Sequence, residues 1–356
     1  MSSIAPDRRL HVGKLPADVL DRLLSAHAPA NAAVLVGPGI GRDAAAILVD
    51  RGVLVAKSDP ITFATRGAAS YLVEVNANDL ACMGAEPRFL LVTALFPDGT
   101  TVSEVEEQFA ELGEACARRG IALVGGHTEV TAGIDRPILV GMMLGAADEA
   151  GLLAPGGALP GDVLLVSGAI AVEGTALLAR ELGPALEGRA PAPLLERARD
   201  FTRSPGISVA AAARALARVP GVRALHDPTE GGLGMGVREI AIANGCGAEI
   251  ERSAIPVHPE TAAIAAALGL DPLGMLASGS LLVAVSPESA DAAEAAAAGV
   301  EVGLTAIGRL LPPGSGYWLV EDGRRSPIPE WTMDEVSRAL AEAASRPPGP
   351  AGGGHP

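Results

Sequence analysis

A chain of 356 residues with 49% apolar side chains carries enough hydrophobic surface for two domains. Its 42 acidic residues outnumber 27 basic ones, and the net charge of −15 excludes a binder of nucleic acid or of anionic membranes unless a basic patch is present; none is visible in the sequence. Three widely spaced cysteines, Cys82, Cys116 and Cys246, exclude a disulfide frame and a cysteine zinc site and fit a reducing, cytoplasmic compartment.

No run of 18 apolar residues predicts a membrane span, and Met1–Asp7 lacks the basic flank and apolar stretch of a signal peptide. The spacing of Val19, Leu20, Leu23 and Leu24 predicts a leading helix within 16–25. Residues 33–36 read as a strand entering Gly37-Pro-Gly39-Ile-Gly41, followed by Arg42 and Asp43. Three glycines over five positions let backbone N–H groups turn toward an anion, with the Asp43 carboxylate alongside; the same residues also suit an ordinary glycine-rich turn. The loop lacks the Gly-Lys-Ser/Thr ending of a Walker A motif. The segment after it alternates toward a strand, unlike a dinucleotide fingerprint.

Strands over 45–49 and 53–57 flank a turn at 50–52, and the second runs into Lys57-Ser58-Asp59. A helix is predicted over 67–84, carrying Asn76-Ala-Asn78-Asp79, then a strand over 89–96. A helix over 101–119 follows, with Ser103 and Glu106 as its capping box. The strand 121–124 is expected to end at Gly125-Gly126-His127-Thr128-Glu129, and 137–145 is a further apolar strand. Strands alternating with helices argue for a mixed α/β or α+β domain ending near residue 147, and the Pro/Gly stretch at 155–162 marks a boundary.

In the second half, strands are predicted at 163–167, 224–226 and 280–285, with 305–309 as the last core strand. Helices are predicted at 173–182, 208–219, 231–244, 262–268 and 290–298, with a loop over 183–193. The Pro/Gly-rich residues 346–356 are expected to be disordered. The chain thus divides into a lead-in at 1–32, domains at 33–150 and 151–312, and an extension at 313–356.

Asp43, Asp59, Asp79 and Glu129 each stand near the end of a predicted element. Singly such residues serve as caps or solvated loop ends; together they form the hard oxygen set that Mg²⁺ requires. In so acidic a chain, a metal-bridged nucleotide is the natural way to bring in polyphosphate. Lys57 suits either a phosphate contact or the exposed end of a strand, and Asn76 and Asn78 can hold waters or phosphate oxygens. His127 is either a general base or a hydrogen-bonded core histidine. His226-Asp227-Pro-Thr-Glu-Gly-Gly-Leu233 precedes a helix, as an anion site or an ordinary cap.

The ordered set Gly39-Ile-Gly-Arg-Asp43, Lys57-Ser-Asp59, Asn76 to Ala85, Gly125 to Glu129, Pro160-Gly-Asp162, Glu173-Gly-Thr175 and His226 to Leu233 spans most of the chain. It resembles the superfamily of aminoimidazole ribonucleotide synthetase (PurM), selenophosphate synthetase, thiamine-monophosphate kinase and the hydrogenase maturation factor HypE, and looks most like the HypE-like branch. The resemblance implies a two-domain PurM-like α/β (α+β) fold, whose first domain pairs with its twofold mate in a homodimer to close a β-barrel and whose second is an α+β sandwich. It implies an enzyme that uses ATP and Mg²⁺ to activate a small-molecule substrate by phosphoryl transfer. On that likeness Asp43, Asp59 and Asp79 would hold the metal, and Gly37, Gly39, Gly41, Lys57, Ser58, Asn76, Asn78, Gly125, Gly126, Thr128 and His226 the nucleotide. His127, Glu129 and Asp227 would be catalytic.

Departures separate it from particular relatives. HypE works through a cysteine at its extreme C-terminus, and no cysteine follows Cys246 here. Selenophosphate synthetase uses a reactive cysteine or selenocysteine near the N-terminus, whereas Cys82 is the first here. Thiamine-monophosphate kinase shows Asp-x-Ser-Asp-Gly where this chain has Asp227-Pro-Thr-Glu-Gly231, and several relatives carry an acidic residue at the position of His127. A kinase of that type remains the alternative enzyme reading, and a nucleotide-binding partner of a maturation protein the non-catalytic one.

Overall fold

A computed structural model of the protein describes residues 34–36, 39–40, 42, 44–49, 52–62 and 67–345. The predicted leading helix and the 346–356 tail lie outside the described residues. Thirteen strands and ten α-helices among the described residues form two sheets with helical layers.

The first sheet has six strands: β1 (Val34–Val36), β2 (Ala45–Leu48), β3 (Val53–Ile61), β4 (Glu86–Pro97), β5 (Ala122–Thr131) and β6 (Ile138–Ala147), in the order β1-β2-β3-β6-β4-β5. Only β4 and β5 run parallel, which obliges the chain to cross over between them through α2 (Val102–Arg119). From Leu90 onward β4 alternates, placing Leu90, Val92, Ala94 and Phe96 in the core with Leu72, Leu80 and Leu112. Fully burying such a side chain stabilises by about 2 kcal/mol.

α1 (Ala68–Cys82) is apolar or small nearly all round, and every residue of it except Ser70 and Glu74 is buried. A helix of this composition belongs inside a protein. α1 lies between the first sheet and the second half, for Ala81 and Cys82 share a core with Leu165, Leu216, Leu281 and Val283. By contrast α2 is amphipathic. Its start differs from the sequence expectation: the capping box is Thr101 with Glu104, not Ser103 with Glu106. Glu104 N–H donates to Thr101 Oγ1 at 3.3 Å, and Thr101 N–H to Glu104 Oε2 at 2.7 Å. Both pairs have the S/T-x-x-E spacing; the earlier one wins because the turn before the helix closes at Thr100, whose N–H donates to Pro97 O.

The second sheet has seven strands, β7 (Val163–Ser167), β8 (Val222–His226), β9 (Gly247–Glu251), β10 (Leu282–Val285), β11 (Leu304–Leu311), β12 (Tyr317–Glu321) and β13 (Arg324–Pro327), in the order β13-β12-β9-β11-β7-β10-β8. The strand at 304–311 is therefore not the last. Asp322 and Gly323, at φ 50° and 71°, make the two-residue hairpin that adds β12 and β13. β10 is buried along its whole length because helices cover both faces. On one face lie α3 (Val172–Glu181), α7 (Gly232–Ala243), α8 (Pro259–Leu268) and α10 (Glu335–Ala344); on the other lie α6 (Ala210–Leu216) and α9 (Ala290–Ala298). The segment 183–193 is not wholly loop, since it holds α4 (Gly183–Leu186) and the start of α5 (Ala192–Arg199). Pro184 fits the first turn of α4, and Leu186 is fully buried.

Candidate active site

Alternation along β3 puts Val53, Val55, Lys57 and Asp59 on the face that meets α1, and on α1 Asn76 and Asp79 stand one turn apart. Lys57 Nζ lies 2.9 Å from Asp79 Oδ2 and 3.7 Å from Asp59 Oδ2, so one cation joins a carboxylate of the sheet to a buried one of the helix. Lys57 is thus inside the strand and ion-paired, not at an exposed end. Asn76 is fully buried; its Nδ2 donates to Leu72 O at 2.8 Å, while its Oδ1 has no hydrogen-bond partner. Gly141, opposite Asp59 on β6, leaves this amide its space, for a Cβ there would lie 2.8 Å from Asn76 Nδ2.

Other predicted residues are placed differently. Ser58, on the reverse face of β3, donates from Oγ to Gly141 O at 2.8 Å. Asn78 has both amide atoms engaged across the two halves: Nδ2 donates to Ile207 O at 2.8 Å, and Oδ1 accepts from Val209 N–H at 2.9 Å. Gly125 to Glu129 do not form a loop but continue β5 to Thr131, paired with Leu91 to Leu95 of β4. The glycine pair misleads because Gly126 is required by a close approach: at φ 143°, a Cβ would fall 1.8 Å from Val92 O. His127 and Glu129 are exposed on this edge strand and paired with each other at 2.9 Å, with Thr128 between them. Two strands, β6 and β4, separate β5 from β3, roughly 14 Å of sheet, so one protomer does not bring them to Lys57. Gly39 carries the Arg42 side chain over it, 2.7 Å from where a Cβ would stand. Gly37, Gly41 and Asp43 lie outside the described residues.

From the second half, β8 delivers His226 and Asp227, both buried. Cys82 Sγ at the end of α1 donates to Asp227 Oδ1 at 3.5 Å, which ties Asp227 to the helix that holds Asp79. His226 faces the core, its Nε2 3.0 Å from Glu239 Oε2. The loop after it turns through Gly231 and Gly232, both at positive φ, and Gly231 N–H donates to Asp334 Oδ2 at 3.0 Å.

Two carboxylates not predicted for the site belong to this region. Burial pushes Glu173, in the first turn of α3, up to about 7; nearby Glu230, Asp334 and Asp59 add to the rise, and a Ser278 hydrogen bond opposes it. Burial likewise pushes Asp334 up to about 6 against N–H donors from Val336, Gly231 and Ser337. Ile61, at the end of β3, packs against the apolar cluster that holds Val172 of α3 and Tyr71 of α1, so β3 and α3 meet at the junction of the two halves. Glu173 stands in the Glu-Gly-Thr segment visible in the sequence, and Asp334 is the N-cap of an amphipathic helix whose apolar spacing was readable.

Among the described residues no three His, Cys, Asp or Glu side chains converge closely enough to hold a metal ion. The donors present fit a divalent cation in kind: Asp59 and Asp79 are hard oxygen ligands from two elements, and buried Asn76, one turn before Asp79 on α1, has an unpartnered carbonyl oxygen.

Comparison with known proteins places this geometry. The family model described as AIR synthase related protein, N-terminal domain, matches residues 41–147, and its C-terminal companion matches 160–319. The chain belongs to this family. Carbamoyl dehydratase HypE of Cupriavidus necator is 31% identical over 287 residues, covering 78% of this chain and 79% of the relative. A crystal structure of hydrogenase maturation protein HypE in complex with ATP has a TM-score of 0.69 at 22% identity, covering 90% of this chain and 96% of that one. The HypE–HypF complex structure gives 0.67 at 22% identity, covering 81% and 93%. These structures establish the PurM-like, HypE-like fold of this family member. Among the described residues no helix is long and apolar enough to cross a membrane.

Proposed function

We propose that the chain is an ATP- and Mg²⁺-dependent enzyme that activates a small acid- or amide-like substrate by transfer of the γ-phosphoryl group to a substrate oxygen, with ADP leaving. The observation that carries this reading is the Lys57 bridge between Asp59 and Asp79, set where β3 and α1 meet Asp227 and Glu173 of the second half. Phosphoryl transfer needs little covalent chemistry from a protein beyond positioning and charge neutralisation, and this group supplies both. Asp43, Asp59 and Asp79 would hold Mg²⁺, which would supply positive charge to neutralise phosphate. Lys57 adds a fixed positive charge beside them, Asn76 offers an oriented oxygen, and Asp227 faces the site from the second half. The HypE structure with ATP supports nucleotide use, and the HypE–HypF complex supports a maturation protein as a partner.

The pairing surface of a homodimer is suggested by β5. All its residues but Thr131 are exposed, including Leu123, Val124 and Val130, on an edge strand with open hydrogen-bonding groups. A twofold mate would cover that edge and bring a second His127–Glu129 pair into the assembly.

The test is calorimetric titration with ATP, with and without Mg²⁺, on the wild type and Asp79→Ala, with ADP and phosphate followed in the same samples. Binding that requires Mg²⁺ and disappears in the variant is expected. Binding unaffected by Asp79→Ala would remove the nucleotide from this site. ADP with a phosphorylated product marks a kinase; ADP with free phosphate marks a synthetase or dehydratase.

A further inference from the structure

The last turns of α1 carry two polar contacts in succession. Asp79 holds Lys57, and Cys82, three residues later and about 4.5 Å further along the axis, is the final residue of the helix. Cys82 Sγ donates to Asp227 Oδ1 at 3.5 Å, and both side chains are buried. The other two cysteines are placed differently: Cys116 lies in the core of the first sheet, and Cys246 donates to Asn244 O at 3.5 Å.

The backbone of Asp227 is fixed on both sides. His226 before it pairs with Leu282 in the β8–β10 ladder, and its ring Nε2 stands 3.0 Å from Glu239 Oε2. Pro228 after it rests on α7, for a Cβ on Gly236 would lie 2.6 Å from the Pro228 ring. What is left to set is the rotation of the Asp227 carboxylate about its own side-chain bonds.

The thiol acts on that rotation at a point where the electrostatics oppose it. The C-terminal end of a helix carries about half a negative charge, which repels a carboxylate brought against it. A donor on the last helical side chain turns the same contact into an attraction; an alanine at this position would remove that attraction while leaving the helix intact.

We propose that Cys82 is a positioning residue, whose thiol sets the Asp227 carboxylate in register with Asp79 and so fixes the acidic group of the second half relative to the first. This rests on the reading of Asp227 as a member of the ATP site.

The experiment compares wild type, Cys82→Ala, Cys82→Ser and Asp227→Asn, each checked by thermal melting, with two readouts. The first is the infrared S–H stretching band of Cys82, taken as the difference between chains with and without Cys82→Ala, in the wild-type and in the Asp227→Asn background. A band lowered in frequency by the carboxylate is expected in the first background and a shifted one in the second. The second readout is ADP formation over a range of MgATP concentrations. Cys82→Ala should lower kcat about tenfold with KM for ATP nearly unchanged, and Cys82→Ser, whose hydroxyl is also a donor, should recover most of that loss. An S–H band that Asp227→Asn does not move would overturn the contact itself. A kcat unchanged in Cys82→Ala, or lowered equally in Cys82→Ser, would overturn the positioning role and leave the nucleotide reading standing. A wild type that forms no ADP would end the nucleotide reading and this proposal with it, while the infrared band, which needs no nucleotide, would still report the contact.

Discussion

At the residue scale, the site is governed by which charges share a buried space. Asp79 is buried and Lys57 is only partly exposed, so their ion pair is screened less than a surface pair. Lys57→Met is expected to destabilise the fold by roughly 2 kcal/mol, and Asp79→Asn in the same chain to recover much of it, since the second change removes the charge left behind. Urea unfolding of the four members of that double-mutant cycle measures the coupling; additive effects would show that the pair contributes nothing. Glu173 gives a pH dependence of defined sign. Its native carboxyl titrates near 7, above its ordinary 4.5, so the folded state holds a proton that the unfolded state has lost. Its contribution to stability is therefore fully present below about 4.5 and is lost as pH rises toward 7. Asp334, raised from 3.8 to about 6, acts in the same direction over a lower window. Glu173→Gln should flatten the fall between pH 5 and 8, gaining on the wild type as pH rises; parallel stability profiles for the two proteins would refute this.

At the element scale, local signals decided how much was legible. α1, α2 and β7 could be read because their apolar spacing or continuous burial matches the element that forms. β5 was cut short in the reading, since Gly125-Gly126 looks like a break while its real cause is a close approach of β4 backbone. β12 and β13 flank an Asp322-Gly323 hairpin signal within the stretch read only as an extension. Within the site, Asp59 and Asp79 were read together with Asp43 and Glu129, of which Glu129 lies apart on β5, while the ion pairs of Lys57 came only from the fold. The roles of Asn78 and Glu173 were not legible, because their partners lie far along the chain, Ile207 and Val209 for Asn78 and Ser278 and Asp334 for Glu173. Two predictions belong here. Thr101→Ala removes the side-chain cap of α2 and should cost about 1 kcal/mol in chemical unfolding, whereas Ser103→Ala should cost little. Val124→Lys places a charge on the exposed edge of β5; if the proposed dimer pairs through that edge, light scattering should report a dimer for the wild type and a monomer for the variant, and an unchanged dimer would move the interface elsewhere.

At the scale of the whole molecule, α1 serves both halves. It closes the core of the first sheet through Leu72 and Leu80, joins the second core through Ala81 and Cys82, and reaches Asp227 through the Cys82 thiol. Asn78 is the polar part of that junction, with its two hydrogen bonds fully buried. Asn78→Ala leaves the Ile207 carbonyl and the Val209 N–H without the amide that satisfies them, a loss on the order of 2–4 kcal/mol concentrated at the junction. Cooperative unfolding of two cores depends on the free energy that joins them, so the variant should lose cooperativity as well as stability. The sequence supplies a convenient reporter: Trp318 and Trp331 are the only tryptophans, and both lie in the second half, whereas far-ultraviolet circular dichroism sees both halves. In the wild type the fluorescence and dichroism transitions should coincide. In Asn78→Ala they should separate, with part of the helical signal lost at a denaturant concentration where the tryptophans still report native packing, or the reverse. A uniform shift of both transitions would show that the apolar contacts of α1 alone couple the halves, and that the amide only orients the 207–209 segment beside the site.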